Sequence, residues 1–224
     1  PTAGLGIAWV SAGVTDIQGR NSAGEKTTMM QTSEDALMIS FAQRILPWFS
    51  FGANIKILQN QLPINESYKG SGIGFDIGLL IKSGKSTTFG LMIQDINSMY
   101  NWDSGDLYAE GRIYSEYFPT IYRLGTRFIF KNIRVAADAG FITNYRIGKN
   151  IEDDIFVNLL PRVGIEYTYL DLYYFRGGLG NGRIAFGWGL EYDLINNNDS
   201  RIDYTFSMDW ASQLAHTLSY AFNF

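Results

Sequence analysis

Few side chains in this sequence could carry out chemistry by themselves. There is one histidine, His216, and no cysteine, which removes thiol nucleophiles, disulfides, Cys-based metal sites and a second imidazole for a His-based one. A hydrolytic site needs a nucleophile and a base within hydrogen-bond reach. His216 falls instead on the oily side of the last alternating segment and reads as an interfacial residue. Glu152-Asp153-Asp154 and Asn196–Asp199 could bring oxygen atoms to a calcium ion, but neither has EF-hand ligand spacing, and both read as solvated loops. Gly177-Gly178-Leu179-Gly180-Asn181-Gly182 has the glycines of a phosphate loop without its Lys-Ser/Thr ending or a following helical pattern, so it reads as a hairpin tip. No enzymatic activity, metal or cofactor is expected.

The other ionisable residues lie in rows. Arg44, Lys56, Asp76, Arg123, Arg127, Arg134, Asp138, Arg162, Glu166, Arg176, Glu191, Asp193, Asp203 and Asp209 share segments with apolar residues and fall on the face opposite them. In Gly72–Lys82 the apolar face is Ile73, Phe75, Ile77, Leu79 and Ile81, against Gly72, Gly74, Asp76, Gly78, Leu80 and Lys82. Ile184, Phe186, Trp188, Leu190 and Tyr192 likewise oppose Gly187, Gly189, Glu191 and Asp193. Successive side chains of a strand point to opposite faces, so each such segment is a strand with one oily and one polar side.

Composition says what solvent the oily side meets. The 224 residues are 46% hydrophobic and 15% aromatic but only 18% charged, against about 25% in soluble domains. No apolar run approaches the ~18 residues of a membrane-spanning helix. A net charge of −4 argues against a nucleic-acid partner. Several alternating segments reach the ~10 residues that cross a bilayer at a tilt, longer than the strands of most sandwiches. Their charges keep to one face, as expected where an Arg or Lys facing lipid at mid-bilayer costs about 2–4 kcal/mol. The expected fold is all-β: an antiparallel up-and-down transmembrane β-barrel, a single domain over residues 1–224.

The pattern gives about twelve strands, near 3–14, 34–46, 49–60, 71–82, 86–96, 120–130, 132–145, 156–169, 171–179, 183–195, 201–211 and 214–224. Connections alternate from long (15–33, 61–70, 97–119, 146–155) to short (Pro47-Trp48, 83–85, Lys131, Leu170), and only the last two, near 196–200 and 212–213, break the trend. Bacterial outer-membrane barrels have short periplasmic turns and longer extracellular loops, which orients the strands and puts Phe224 on the periplasmic side. Trp48, Tyr167, Tyr169 and Tyr173 near the periplasmic strand ends suit a membrane-interface girdle.

The chain ends in His216-Thr217-Leu218-Ser219-Tyr220-Ala221-Phe222-Asn223-Phe224. With Tyr220, Phe222 and Phe224 in register, this resembles the carboxy-terminal signal read by the outer-membrane barrel assembly machinery. More widely, GLGIAWVSAGVTDI (4–17), SEDALMISFAQRILPWFSFGANIKIL (33–58), GIGFDIGLL (72–80) and LGTRF (124–128) resemble the PorV/PorQ family of FadL-like outer-membrane barrels. That resemblance implies fourteen strands and an amino-terminal hatch. The present chain opens, on Pro1, at what resembles the third strand, as expected of a processed product, a fragment or a shortened barrel.

The resemblance also implies a function: a type IX secretion-associated barrel that binds exported or surface proteins and secretion-system subunits. The loops 15–33, 61–70 and 97–119 would then dock partners, and Tyr100, Trp102, Tyr108, Tyr114, Tyr117 and Phe118 in the third are candidate contact residues. Those rings could equally fold the loop over the barrel mouth. The alternatives are a FadL-like transporter of small hydrophobic compounds and a structural barrel of an envelope complex. Mixed signs on the lumenal face favour an internal ion-pair network over a charge-selective conduit. The inward Gly, Ser, Ala, Arg and Asp residues offer no apolar path of the sort a long-chain lipid would need.

Overall fold

The computed structural model describes residues 2–63, 68–106, 110–143, 157–195, 198–209 and 214–222. Fourteen strands follow one another: β1 (Ala3–Arg20), β2 (Lys26–Leu46), β3 (Phe49–Gln61), β4 (Lys69–Ser83), β5 (Thr87–Ile96), β6 (Met99–Asp103), β7 (Ile113–Tyr117), β8 (Thr120–Phe130), β9 (Ile133–Thr143), β10 (Val157–Tyr169), β11 (Tyr173–Gly180), β12 (Arg183–Ile195), β13 (Asn198–Asp209) and β14 (Leu214–Phe222). Twelve of them form one up-and-down path in which β5 is followed by β8; β6 and β7 leave the path as a hairpin, and β6 also pairs with β4. The fold is thus all-β and antiparallel, and the twelve strands of the path are those the alternation marks out. Among the described residues no helix is long and apolar enough to cross a membrane.

Exposure follows the pleat. In β4, Ile73, Phe75 and Ile77 are 51%, 43% and 46% exposed while Asp76 between them is 4% exposed, so the oily face looks outward and the polar face is covered. The phase lapses toward the Ser83 end of the strand, where Leu80, expected on the polar side, is exposed. Along β1, residues on both faces are exposed up to Asp16.

Turn chemistry sets the connections. Asn181 and Gly182 both adopt positive φ, 51° and 72°, the left-handed pair of a two-residue hairpin turn whose twist matches its strands. The segment 15–33, expected as a long loop, is mostly strand. β1 and β2 pair beyond a bulge at Val14/Ile17, where Asp16 has φ 59°, and only 21–25 remain as a turn. There the Asn21 side chain accepts from the backbone N–H of Ala23 and Glu25 at 3.0 and 2.9 Å. The expected turn at 196–200 is likewise shorter, since β13 begins at Asn198.

Two compact units are distinguished. The first comprises Pro1–Leu79, Met92–Tyr122 and Ile142–Val157, and the second Leu80–Leu91, Arg123–Phe141 and Asn158–Phe224. In the first, the buried apolar residues are Leu58, Tyr100 and Trp102, with Ala36, Leu62, Tyr68 and Phe118 packed against them. In the second, the covered face is polar and is filled by arginine and carboxylate side chains.

Candidate functional site

In the first unit the polar face is occupied by its own chain. β5 should run straight on, but Asp95 and Asn97 take positive φ, 58° and 51°, and the backbone turns onto the polar side of β4. By strict alternation Asp95 would share the phase of Phe89 and Leu91, both exposed. The left-handed step instead brings its carboxylate to Lys56. The Lys56 ammonium also pairs with Asp76 Oδ1 at 2.6 Å. Asp76 accepts further bonds from the Asp95 N–H at 2.9 Å and from Asn54 Nδ2 at 3.3 Å. The Lys56 and Asp76 side chains are 11% and 5% exposed, so these charges are compensated away from water, as burial requires.

Glycines make the room. A methyl group on Gly72 would lie 1.6 Å from the Met99 carbonyl oxygen, and one on Gly74 would lie 2.1 Å from Ser98 Oγ. Ser98 is fully buried, and its carbonyl accepts from the Phe118 N–H at 2.9 Å. Above this point β6 and β7 form the hairpin, with Trp102 opposite Tyr114 and Met99 opposite Tyr117. Trp102 stacks on Tyr68 at 5.5 Å, and Tyr100 meets Phe118 edge-on at 5.0 Å. The Trp102 indole donates to Glu116 at 3.1 Å and the Tyr100 hydroxyl donates to Glu34 at 2.8 Å. Burial and the bond to the Glu34 carboxylate raise the Tyr100 phenol above its ordinary pKa, because both disfavour the phenolate.

The hairpin divides the aromatic residues of 97–119. Tyr100 and Trp102 are 3% and 5% exposed and present no surface to a docking partner; they fold the loop inward. Phe118 packs beside them and Tyr117 is half-buried. Tyr114, 67% exposed, and its neighbour Ile113, 72% exposed, stay open to solvent. Tyr108 lies outside the described residues. The apolar surface missing from the inward strand positions is therefore supplied by a loop. Sequence alternation reports only strand faces, so it could not show this.

In the second unit the polar face carries a chain of ion pairs. Arg134 pairs with Glu166; Arg176 donates to Glu166 and to Asp203, each at 2.6 Å; Arg201 donates to Asp203 at 2.9 Å. The Arg201 guanidinium sits 4.3 Å from the Tyr174 ring centroid, a cation–π arrangement. The Tyr174 hydroxyl donates to Glu191 at 2.6 Å. Arg123 pairs with Asp138 at 3.0 Å, Arg127 reaches Thr88 Oγ1 at 3.3 Å, and Arg183 approaches Asp209 at 3.7 Å.

Arg44 and Arg162 are exposed, and among the described residues neither forms an ion pair. Asp193 lies in β12 opposite Asp199, and its side chain is outside the description, as is that of Phe222. Tyr220 in β14 is 56% exposed, and Phe224 lies outside the described residues, as do Glu152, Asp153 and Asp154. His216 shares an exposed hydrogen bond of 2.7 Å with Tyr204, a surface partner rather than a reactive one.

The sequence reading missed Asp95, Arg201 and Tyr174. Arg201 shares the phase of Asp203 and was open to the same logic. An acid on the apolar phase was the available sign for Asp95. Among the described residues no cluster of His, Cys, Asp or Glu could hold a metal ion.

No protein-family model matches the sequence, and no curated protein is significantly similar to it. Solved structures do match over essentially the whole chain. The CymD monoaromatic hydrocarbon channel is 15% identical with a TM-score of 0.63, covering 100% of this chain and 80% of its own. The Ralstonia pickettii toluene transporter TbuX is 13% identical with a TM-score of 0.63, covering 100% and 78%. The Pseudomonas putida toluene transporter TodX is 16% identical with a TM-score of 0.59, covering 99% and 78%. At such identities the likeness is one of fold: this chain has the fold of an outer-membrane β-barrel, similar to that of the FadL-like channels.

Proposed function

We propose that the protein is a non-enzymatic, FadL-like channel for small hydrophobic compounds, spanning the bacterial outer membrane with its oily strand faces in lipid. The observation that carries this reading is the aromatic cluster of Tyr68, Tyr100, Trp102 and Phe118 around Leu58. Its half-buried members Tyr68 and Phe118, backed by buried Tyr100 and Trp102, put apolar contact on an otherwise polar inner face, where an apolar solute needs it. The fold likeness to a monoaromatic hydrocarbon channel and two toluene transporters supports the same class. Liposomes holding the purified protein should take up radiolabelled toluene faster than protein-free liposomes, and Trp102→Ala should change that rate. Equal uptake with and without protein would overturn the channel.

A second reading keeps the PorV-like role in type IX secretion, supported by the sequence resemblance and by exposed Ile113 and Tyr114, which are free to meet another protein. Copurification from native membranes distinguishes it: secreted proteins or secretion subunits should accompany the wild type and be lost with Ile113→Ser/Tyr114→Ser. A sealed barrel with neither flux nor companions would leave a structural role in the envelope. In each reading the barrel assembly machinery is met through the carboxy-terminal strand.

A further inference from the structure

The second unit contains a stretch of surface with cations and no acid. Residues 80–91 and 123–137 include Lys82, Lys85, Arg123, Arg127, Lys131 and Arg134 but no Asp or Glu. Asp138 holds Arg123 and Glu166 holds Arg134. The other four are exposed, and among the described residues none of them enters an ion pair. The neighbouring β10–β11 turn carries Asp171, two strands along from Lys131 and so about 10 Å away.

Two of the four cations belong to the outer face of one strand pair. The Ile129 N–H donates to the Ser86 carbonyl at 2.9 Å, so β8 and the start of β5 are matched at these residues, and one step further sets Phe130 opposite Lys85. Phe128 and Phe130 are 49% and 59% exposed, on the outward row. Arg127 falls on the other row, where it reaches Thr88 Oγ1 at 3.3 Å. Lys131 follows Phe130 in the turn, and its ammonium lies 5.6 Å from the Phe130 ring centroid, a cation–π approach that holds it over the outer face. Its φ of 50° is a left-handed position that glycine or asparagine takes at less cost. Side chains directly opposite across a ladder are about 5 Å apart, so Lys85 and Lys131 flank one exposed ring.

The order of polarity along this face is that of a phospholipid. Uncompensated positive charge lies at the turns, and Phe130 and then Phe128 follow up the strand toward the hydrocarbon. An acidic protein meeting the turns would leave both rings unused. We propose that Lys85 and Lys131 bind the headgroup phosphate of an anionic phospholipid in the leaflet on the short-turn side, with its acyl chain against Phe130 and Phe128. The site rests on the outer-membrane reading and not on channel activity, so toluene uptake is expected to be the same in its variants.

The test is native mass spectrometry of the protein in neutral detergent with phosphatidylglycerol and with diacylglycerol of the same chains. Phosphatidylglycerol should be retained and diacylglycerol should not. Retention should fall about fivefold in Lys131→Gln and about thirtyfold in Lys85→Gln/Lys131→Gln, as expected for lysines at an anionic lipid surface. It should also fall in Phe130→Ala, which keeps both charges. Arg127→Gln removes the same charge from the opposite row and should leave retention unchanged. Equal retention by the wild type and the double-lysine variant would overturn the site. So would a loss in Arg127→Gln matching that in Lys131→Gln, which would show non-specific charge. Displacement of the lipid by equimolar inorganic phosphate or polyglutamate would overturn it as well, in favour of a soluble anion or an acidic protein.

Discussion

The polar faces of the two units start from the same recipe of small and charged residues alternating with apolar ones, and they are filled in opposite ways. In the first, Gly72 and Gly74 remove side chains from β4, and a second layer of backbone, residues 97–103, lies where those side chains would be. Lys56 and Asp76 are therefore enclosed, with Asp95 partly open beside them, and aromatic rings are stacked above. In the second, long arginine side chains fill the space themselves. They remain partly open to water, the Arg134 side chain at 43% and Arg201 at 29%. Side-chain size along one strand thus decides whether a polar face becomes a dry, structured site or a solvated ion lattice.

The most damaging test of this contrast is Gly72→Val. Its Cβ would meet the Met99 carbonyl oxygen, a backbone atom that cannot swing aside, so the hairpin should leave the polar face. Trp102 fluorescence should shift to the red and protease should cut within 97–119, while the second unit keeps its ion pairs. An unchanged Trp102 spectrum would mean the glycine row does not seat the hairpin. Lys56→Met comes next. It leaves two carboxylates facing each other without their cation, which should cost about 3–5 kcal/mol as for other broken buried pairs. Urea unfolding in lipid should report that loss, and adding Asp95→Asn should restore part of it. A cost below about 1 kcal/mol would show that water reaches the triad.

The alternation made the twelve strands of the path legible, because each had to keep one face in hydrocarbon. It also marked Asp76, Glu166 and Asp203 as inward, since a charge on the wrong face is costly at every strand. The places it could not read are those where the period breaks. Asp95 changes face through one left-handed residue, and nothing in a two-residue period foretells such a step. Tyr100 and Trp102 lie in a segment that reads as loop because its strands are only five residues each, and their burial is decided by contact with Leu58 and Tyr68, far away in sequence. The 3–14 and 34–46 strands were found but cut short, since beyond the bulge at Val14/Ile17 the alternation of apolar and polar residues lapses while β1 and β2 go on pairing.

The hairpin makes a pH-dependent prediction of its own. Tyr100 lies outside the membrane-spanning strands, and its phenol is raised above its ordinary value near 10. The folded state then holds the proton more tightly than the unfolded one. The contribution is complete below pH 10 and is lost as pH rises through the folded value. Stability measured from pH 9 to 11 should fall more steeply in the wild type than in Tyr100→Phe. The variant should itself cost about 1.5–3 kcal/mol at neutral pH, the range for a hydrogen bond to a charged group. Parallel pH profiles would mean that Tyr100 titrates as it does in water.

The smallest effect is expected where the contrast predicts redundancy. Arg134→Gln removes a half-exposed partner of Glu166, but Arg176 still holds that carboxylate at 2.6 Å. The cost should stay near about 0–1 kcal/mol, as for solvent-exposed pairs, and should shrink further in added salt. Arg176→Gln removes the cation that joins Glu166 to Asp203, and should cost more than Arg134→Gln under the same conditions. Thermal unfolding of both variants at low and high salt measures the difference. Equal costs, insensitive to salt, would mean that the second lattice is as dry as the Lys56 triad, and that the open and enclosed polar faces do not differ in the way their geometry requires.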